Sequence, residues 1–343
     1  MIEIINKVRN IYSQCSDEVS KQIYMDKILF AMSGDRKYVH KLICETMKEI
    51  GTNIKAIKER KKVIIYGAGA NLDFTMFLCD REGIKIQYIC DKDKLKQKQK
   101  YGTIEVISPE NLVEQHLDAT IIVSTTTYVK EVVEFLDEFY KKDQIICWEK
   151  EVLERIKKQY FDSIIKFQKD EIFIDGGCYD FETCKMLLEK CEPYRIYAFE
   201  PDKYNLEKVK SEIKLLGLKN VEIINSGLWD CEKTLYFSSK GTIMSRVDEN
   251  GEDQIHVVSI DERIKDNVTF IKMDIEGSEL KALKGAEKTI KKYKPKLAIS
   301  IYHKLDDIVT IPDFIHSIVP EYKFYLRHYS LCESETVLYA IVE

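Results

Sequence analysis

One arrangement occurs twice in this 343-residue chain and constrains its fold more than any other feature. It is a short β-branched strand, a glycine turn, a helix, a second strand and an acid at that strand's end. In the first copy Val63-Ile64-Ile65-Tyr66 runs into Gly67-Ala68-Gly69, and Asp91 closes the strand Ile84 to Cys90. In the second copy Ile172-Phe173-Ile174-Asp175 runs into Gly176-Gly177, and Glu200 closes the strand Arg195 to Phe199. Gly67 and Asp91 are 24 positions apart, as are Gly176 and Glu200. A turn, a helix and a strand need that spacing, so both copies read as one supersecondary unit used twice. Strand–helix alternation of this kind predicts parallel sheets, with ligand crevices at the carboxyl ends of the strands.

Around these copies the chain divides into three stretches. Residues 1–60 have helical apolar periodicity, for example Ile28, Leu29 and Met32, broken at Ser33-Gly34-Asp35. They read as a helical cap whose apolar faces pack on the next domain. Residues 61–148 read as a Rossmann-like α/β domain, with strands also at 120–124 and 144–148. Ser108-Pro109-Glu110 there has the form of a helix start, with Ser at the N-cap and Pro in the first turn. Residues 149–343 open with a charged helical connector and then repeat the alternation. Strands are expected at 172–175, 195–199, 221–225, 270–274 and 297–302, and an inserted β pair at 235–237 and 255–258. Helices are expected at 180–190, 203–216 and 279–290, and a hairpin of 322–327 with 336–342 closes the chain.

The formal charge of −5 argues against nucleic-acid binding, and no apolar run approaches the length of a membrane span. The start, Met1-Ile2-Glu3-Ile4-Ile5, lacks the form of a signal peptide. No C-x-x-C pair occurs among the ten cysteines, which read as reduced thiols in a cytoplasmic protein.

The two crevices differ in chemistry. Gly67-Ala68-Gly69-Ala70-Asn71-Leu72 lacks the third glycine of a dinucleotide fingerprint. Its glycines serve either a ligand or only a tight strand-to-helix turn. A nucleotide-sugar or NAD-binding enzyme, or a binding scaffold, using this domain is the alternative function. In the second crevice Asp175 precedes the glycines, where like charge would repel a pyrophosphate. An acid there suits a ligand with an ammonium group. S-adenosylmethionine carries an ammonium, a carboxylate and a ribose. The Gly176-Gly177 backbone and helix N-terminus suit its carboxylate, and Glu200 suits its ribose hydroxyls.

Phe173-Ile174-Asp175-Gly176-Gly177, Tyr197-Ala198-Phe199-Glu200-Pro201, Phe270-Ile271-Lys272-Met273-Asp274-Ile275-Glu276-Gly277-Ser278-Glu279 and Leu283-Lys284-Gly285-Ala286 together carry a family resemblance. From about residue 170 onward the chain resembles the FkbM-type branch of class I S-adenosylmethionine-dependent methyltransferases. Cys178-Tyr179 stands where such enzymes usually have a small residue and Asn. The resemblance implies a C-terminal seven-stranded Rossmann-like sheet ending in an antiparallel hairpin. The smaller α/β domain and helical cap before it are similar to the leading region of larger, sugar-modifying members. The implied acceptor is an oxygen, or a nitrogen, of a sugar, glycan, secondary metabolite or glycan-modified protein. Ser226, in Asn225-Ser226-Gly227 after the third strand, lies where class I enzymes contact adenine. A homodimer is compatible with all of this.

Asp274 closes the fourth strand and points into the crevice, with Glu276 on the turn and Glu279 in the first helical turn. Glu279 suits capping of free helix N–H groups, while Asp274 and Glu276 suit positioning or deprotonating an acceptor. His303, after the fifth strand, is either a base or a structural histidine. Asp306 and Asp307 with Asp274 could hold Mg²⁺, and Asp306 alone fits a helix N-cap, which is the preferred reading.

Overall fold

The computed structural model describes residues 2–46, 57–125, 127–147, 155–238, 246–247 and 253–342. It divides into two compact units. Residues 35–156 and 329–333 form the smaller one, and 1–34, 157–328 and 334–343 the larger.

The smaller unit is built on a six-stranded sheet. Its strands are β1 Val63–Tyr66, β2 Ile86–Cys90, β3 Lys100–Tyr101, β4 Ile104–Ile107, β5 Thr120–Val123 and β6 Ile145–Ile146, in the order β3-β4-β2-β1-β5-β6. β1 and β5 are buried along their whole length, as central parallel strands must be. Ser108 caps helix Pro109–Gln115 by accepting the Asn111 N–H at 3.2 Å. Residues 148–154, including the start of the expected charged connector, lie outside the described residues.

In the larger unit the strands are β7 Ile172–Gly176, β8 Arg195–Phe199, β9 Val221–Ile224, β10 Gly227–Leu228, β11 Lys233–Ser238, β12 Arg246–Val247, β13 Asp253–Val258, β14 Phe270–Met273, β15 Lys296–Ser300, β16 Lys323–His328 and β17 Thr336–Ile341. Seven of them form one sheet in the order β16-β17-β15-β14-β7-β8-β9. All neighbours are parallel except β17, which runs antiparallel to β15 and β16. This is the expected class I arrangement. The inserted pair forms too: β11 and β13 are antiparallel within a separate four-stranded sheet.

Helix Lys203–Leu216 has the expected bounds, because both its ends are encoded. Asp202 accepts the Tyr204 N–H at 2.8 Å, and Gly217 takes the left-handed conformation at the other end. The expected helix 279–290 instead breaks into Glu279–Lys284 and Glu287–Tyr293. The Trp229 carbonyl occupies the space a Cβ on Gly285 would need, so another backbone passes at the break.

The expectation of one helical cap over 1–60 is corrected. Helices Ile2–Gln14 and Glu18–Ser33 belong to the larger unit, and Lys37–Thr46 to the smaller. The first two pack against β16: Ser16 N–H donates to the Phe324 carbonyl at 2.9 Å, and Leu326 N–H to Ser20 Oγ at 2.9 Å. β16 is an edge strand of the large sheet, and the cap covers groups that an edge leaves open. Residues 47–56 lie outside the described residues.

Candidate functional site

β7 and β14 are neighbours in the sheet, and their carboxyl ends build the site. Gly177 has φ +75°, and a Cβ there would collide with the Asp274 carbonyl. The glycine therefore lets the turn after β7 touch the backbone after β14.

Asp175 departs from its expected role. It is 0 % exposed, and its Oδ1 lies 2.9 Å from Lys272 Nζ on β14. Cys184 Sγ approaches Oδ2 at 3.2 Å. The ammonium that Asp175 meets is therefore the protein's own. Lys272 Nζ also donates to the Gly177 carbonyl at 2.8 Å and the Gly176 carbonyl at 3.2 Å. Burial opposes the charge on Lys272, yet Asp175 and Asp274 outweigh it and raise its pKa. The sequence signal for Lys272 was a lysine in the middle of an apolar strand.

Glu200 is buried and closes β8 as expected. Its Oε2 accepts the Tyr179 N–H and its Oε1 the Asp202 N–H, both at 2.9 Å. Burial pushes its carboxyl up to about 7, against those hydrogen bonds. Asn205 is a further partner of this carboxylate, and a lone pair is left for a hydroxyl donor. Asp91 in the smaller unit is braced in the same way, accepting Ala68 N–H at 2.8 Å and Asp93 N–H at 2.9 Å. Burial opposes ionisation of Asp91 too, but these bonds and Lys96 at 3.2 Å lower its pKa. Gly67, at φ +112°, has the Ser124 carbonyl 3.0 Å from where its Cβ would stand, so the fold itself requires that glycine. Ser226 is buried, donates to the Asn225 carbonyl at 2.8 Å and lies 3.1 Å from His256 Nδ1.

Asp274, Glu276 and His303 come together. His303 Nε2 is 3.4 Å from Asp274 Oδ1 and 3.7 Å from Glu276 Oε2, and its Nδ1 is 3.0 Å from Glu279 Oε1. These are ion-pair contacts without the alignment of a hydrogen bond. Burial disfavours a charged ring, but Glu279, Asp274 and Glu276 outweigh it and hold His303 at about 9. Glu276 has the left-handed φ of +54°, and its side chain is 33 % exposed. Burial and the neighbouring acids push it up to about 7, with His303 opposing. Glu279 accepts the Ile275 N–H at 2.8 Å, so it caps the turn that carries Glu276.

Sequence reasoning missed the residues around Asp274. Tyr160 donates to Asp274 Oδ2 at 2.6 Å, and Tyr302 to Oδ1 at 3.2 Å. Gln159 Nε2 donates to Glu335 Oε2 at 2.5 Å and to the Tyr160 hydroxyl at 3.1 Å. Tyr160 and Glu335, like Glu276, are non-glycine residues at positive φ, a strain that clusters at working sites. The stretch before β7 and the turn after β16 carry no motif, so only the fold reveals them.

Among the described residues one group of His, Cys, Asp or Glu has metal-type spacing: Asp274, Glu279 and His303. The expected set with Asp306 and Asp307 is not the one assembled. Asp307 accepts the Lys304 N–H at 2.9 Å. Asp306 stands at the N-cap position of helix Asp307–Ile318, without a side-chain cap bond.

Residues 174–326 match the model of the methyltransferase FkbM domain. Over that stretch the chain is similar to the FkbM methyltransferase family. The matched stretch spans the glycine turn, Glu200 and the whole acid cluster except Glu335. Residues 59–146 match the model called C2185-like, N-terminal. The crystal structure of methyltransferase FkbM from Methylobacillus flagellatus KT is similar in fold, with a TM-score of 0.52, 21% identity, and coverage of 92% of this chain and 99% of that one. An rRNA methylase from Streptococcus thermophilus matches 50% of this chain and 86% of its own, at 16% identity and a TM-score of 0.35. No curated protein matches the sequence. Among the described residues no helix is long and apolar enough to cross a membrane.

Proposed function

We propose that the chain moves the methyl group of S-adenosylmethionine to an oxygen of a sugar, glycan or secondary metabolite, with nitrogen the second choice of acceptor atom. The observation that carries this reading is the contact between Gly177 and Asp274. It joins the expected cofactor turn to the acid cluster, so a sulfonium on one side lies next to an acceptor on the other.

In this reading Gly176, Gly177 and the N-terminus of helix Glu182–Leu188 face the cofactor's carboxylate, Glu200 takes its ribose hydroxyls and Ser226 borders its adenine. Asp175 acts indirectly, by fixing Lys272 and through it the carbonyls of the glycine turn. On the acceptor side Asp274 and His303 orient the hydroxyl. Glu276 takes its proton: among the described residues its carboxylate accepts no hydrogen bond, and His303 is its nearest cation. The acceptor oxygen then bonds to the methyl carbon, the S–C bond breaks, and its electron pair stays on sulfur as S-adenosylhomocysteine. Alignment of the two reactants supplies much of the rate.

Ten free cysteines support a cytoplasmic setting. A nucleotide-sugar or NAD site at Gly67 and Asp91 is the second reading, and its turn lacks the third glycine of a dinucleotide fingerprint. The test is transfer of isotopically labelled methyl from S-adenosylmethionine into a panel of sugars, amino sugars and hydroxylated metabolites. Labelled product that is lost in Glu276→Gln supports the reading, and turnover unchanged in that variant contradicts the role given to Glu276.

A further inference from the structure

The geometry points to a divalent-cation site made by Asp274, Glu279 and His303. One donor atom from each residue lies within 4.8 Å of the other two. A group of acids alone would mean little, and the orphaned atoms are the second observation. The His303 side chain is only 10 % exposed, yet neither ring nitrogen has a hydrogen-bond partner of proper geometry. Glu279 is 0 % exposed, and its Oε2 has no partner at all among the described residues. Buried polar atoms are nearly always satisfied, so orphans gathered at one place indicate a missing ligand.

The surroundings match what a metal-bound imidazole needs. Glu279 Oε1 sits 3.0 Å from Nδ1 without the alignment of a hydrogen bond, so that nitrogen is open to the ion. Nε2 faces Asp274 Oδ1. Tyr160 and Tyr302 hold the Asp274 carboxylate from both sides. One imidazole nitrogen with two carboxylates suits a hard or borderline ion such as Mg²⁺, Mn²⁺ or Zn²⁺. Two carboxylates also balance its double charge, and the ion takes the place of the proton on the ring. The ion's role rests on the methyl-transfer reading: bound beside the acceptor it supplies a Lewis acid that acidifies a hydroxyl, which favours oxygen over nitrogen as acceptor. Glu276 stays outside the donor set and free to take the proton.

The test titrates chelator-treated full-length protein with Mn²⁺ alone and reads free Mn²⁺ by electron paramagnetic resonance. One Mn²⁺ per chain is expected. Affinity falls roughly 100-fold or more in Asp274→Asn and in His303→Gln, beyond the 10–100-fold seen for an outer-shell partner. Asp306→Asn keeps the affinity of the unaltered protein. No saturable binding up to about 1 mM, the weak limit for carboxylate-rich sites, overturns the proposal. So does unchanged affinity in both ligand variants. Anomalous scattering from Mn²⁺-soaked crystals needs no variant: a peak within about 2.6 Å of the three side chains supports the site, and none there overturns it. Neither experiment contains cofactor or acceptor, so their failure would leave the methyl-transfer reading standing, and its failure would leave theirs.

Discussion

Tyr160 donates a 2.6 Å hydrogen bond to Asp274 Oδ2 from a segment that precedes the first strand of the large sheet. The tyrosine is buried, sits at φ +66° and has Lys272 Nζ 5.1 Å from its ring centroid. It therefore links the acceptor side of the site to the ion pair under the glycine turn. Tyr160→Phe keeps the ring and removes the bond. We expect S-adenosylhomocysteine affinity to hold, and turnover to fall by the equivalent of about 1.5–3 kcal/mol for a bond to a charged group. Steady-state kinetics, with kcat separated from KM, check this.

The Asp175–Lys272 pair lies entirely out of solvent. Lys272→Met leaves a buried carboxylate without its cation and should cost about 3–5 kcal/mol in urea denaturation. The double variant Asp175→Leu with Lys272→Met should recover much of that loss, since it removes both charges. A double variant no more stable than Lys272→Met alone would mean that the pair's effect is not electrostatic.

Gly177 and Gly34 share a left-handed φ, near +75° and +67°, but only Gly177 has backbone in the way of a side chain. Gly34→Ala should cost about 1–2 kcal/mol of conformational strain. Gly177→Ala must also push Asp274 aside, so a larger stability loss is expected together with weaker cofactor binding. Equal denaturation midpoints for the two variants would remove the close approach as the reason for Gly177.

Glu200 gives a pH dependence with a definite sign. Its folded carboxyl is raised from 4.5 to about 7 by burial. The folded state thus holds the proton more tightly than the unfolded chain, and charging the group costs stability as pH rises from about 4.5 to 7. Glu200→Gln has no such proton to lose. The stability of the unaltered protein relative to Glu200→Gln should therefore fall between pH 5 and pH 8, by at most roughly 3 kcal/mol. Urea melts at the two values measure the difference, and a constant difference contradicts it.

The strands, the Lys203–Leu216 helix and the closing hairpin were legible because each has its own local signal: a β-branched run, Asp202 and Gly217 as caps, and a two-strand pattern at the end. The acids were legible by position, since strand ends place Glu200 and Asp274 at a crevice. What the sequence hid is tertiary. Asp175 appeared open to a ligand because nothing local reveals that Lys272, 97 positions later, fills the space beside it. Residues 1–60 read as one cap because helical periodicity shows that a face is buried, not what buries it. Tyr160, Gln159 and Glu335 reach the site from segments without motifs. The break at Gly285 depends on Trp229, which no helical pattern could report.

The proposed cofactor site lies between the Gly176–Gly177 turn and Glu200 and takes the adenosyl group. Isothermal titration calorimetry with S-adenosylhomocysteine, on the full chain and on Glu200→Ala, tests it directly. Saturable binding of one ligand per chain is expected, weakened by roughly 1–3 kcal/mol in Glu200→Ala through lost hydrogen bonds to the ribose. No heat of binding at protein well above micromolar, or an affinity unchanged by Glu200→Ala, would contradict it.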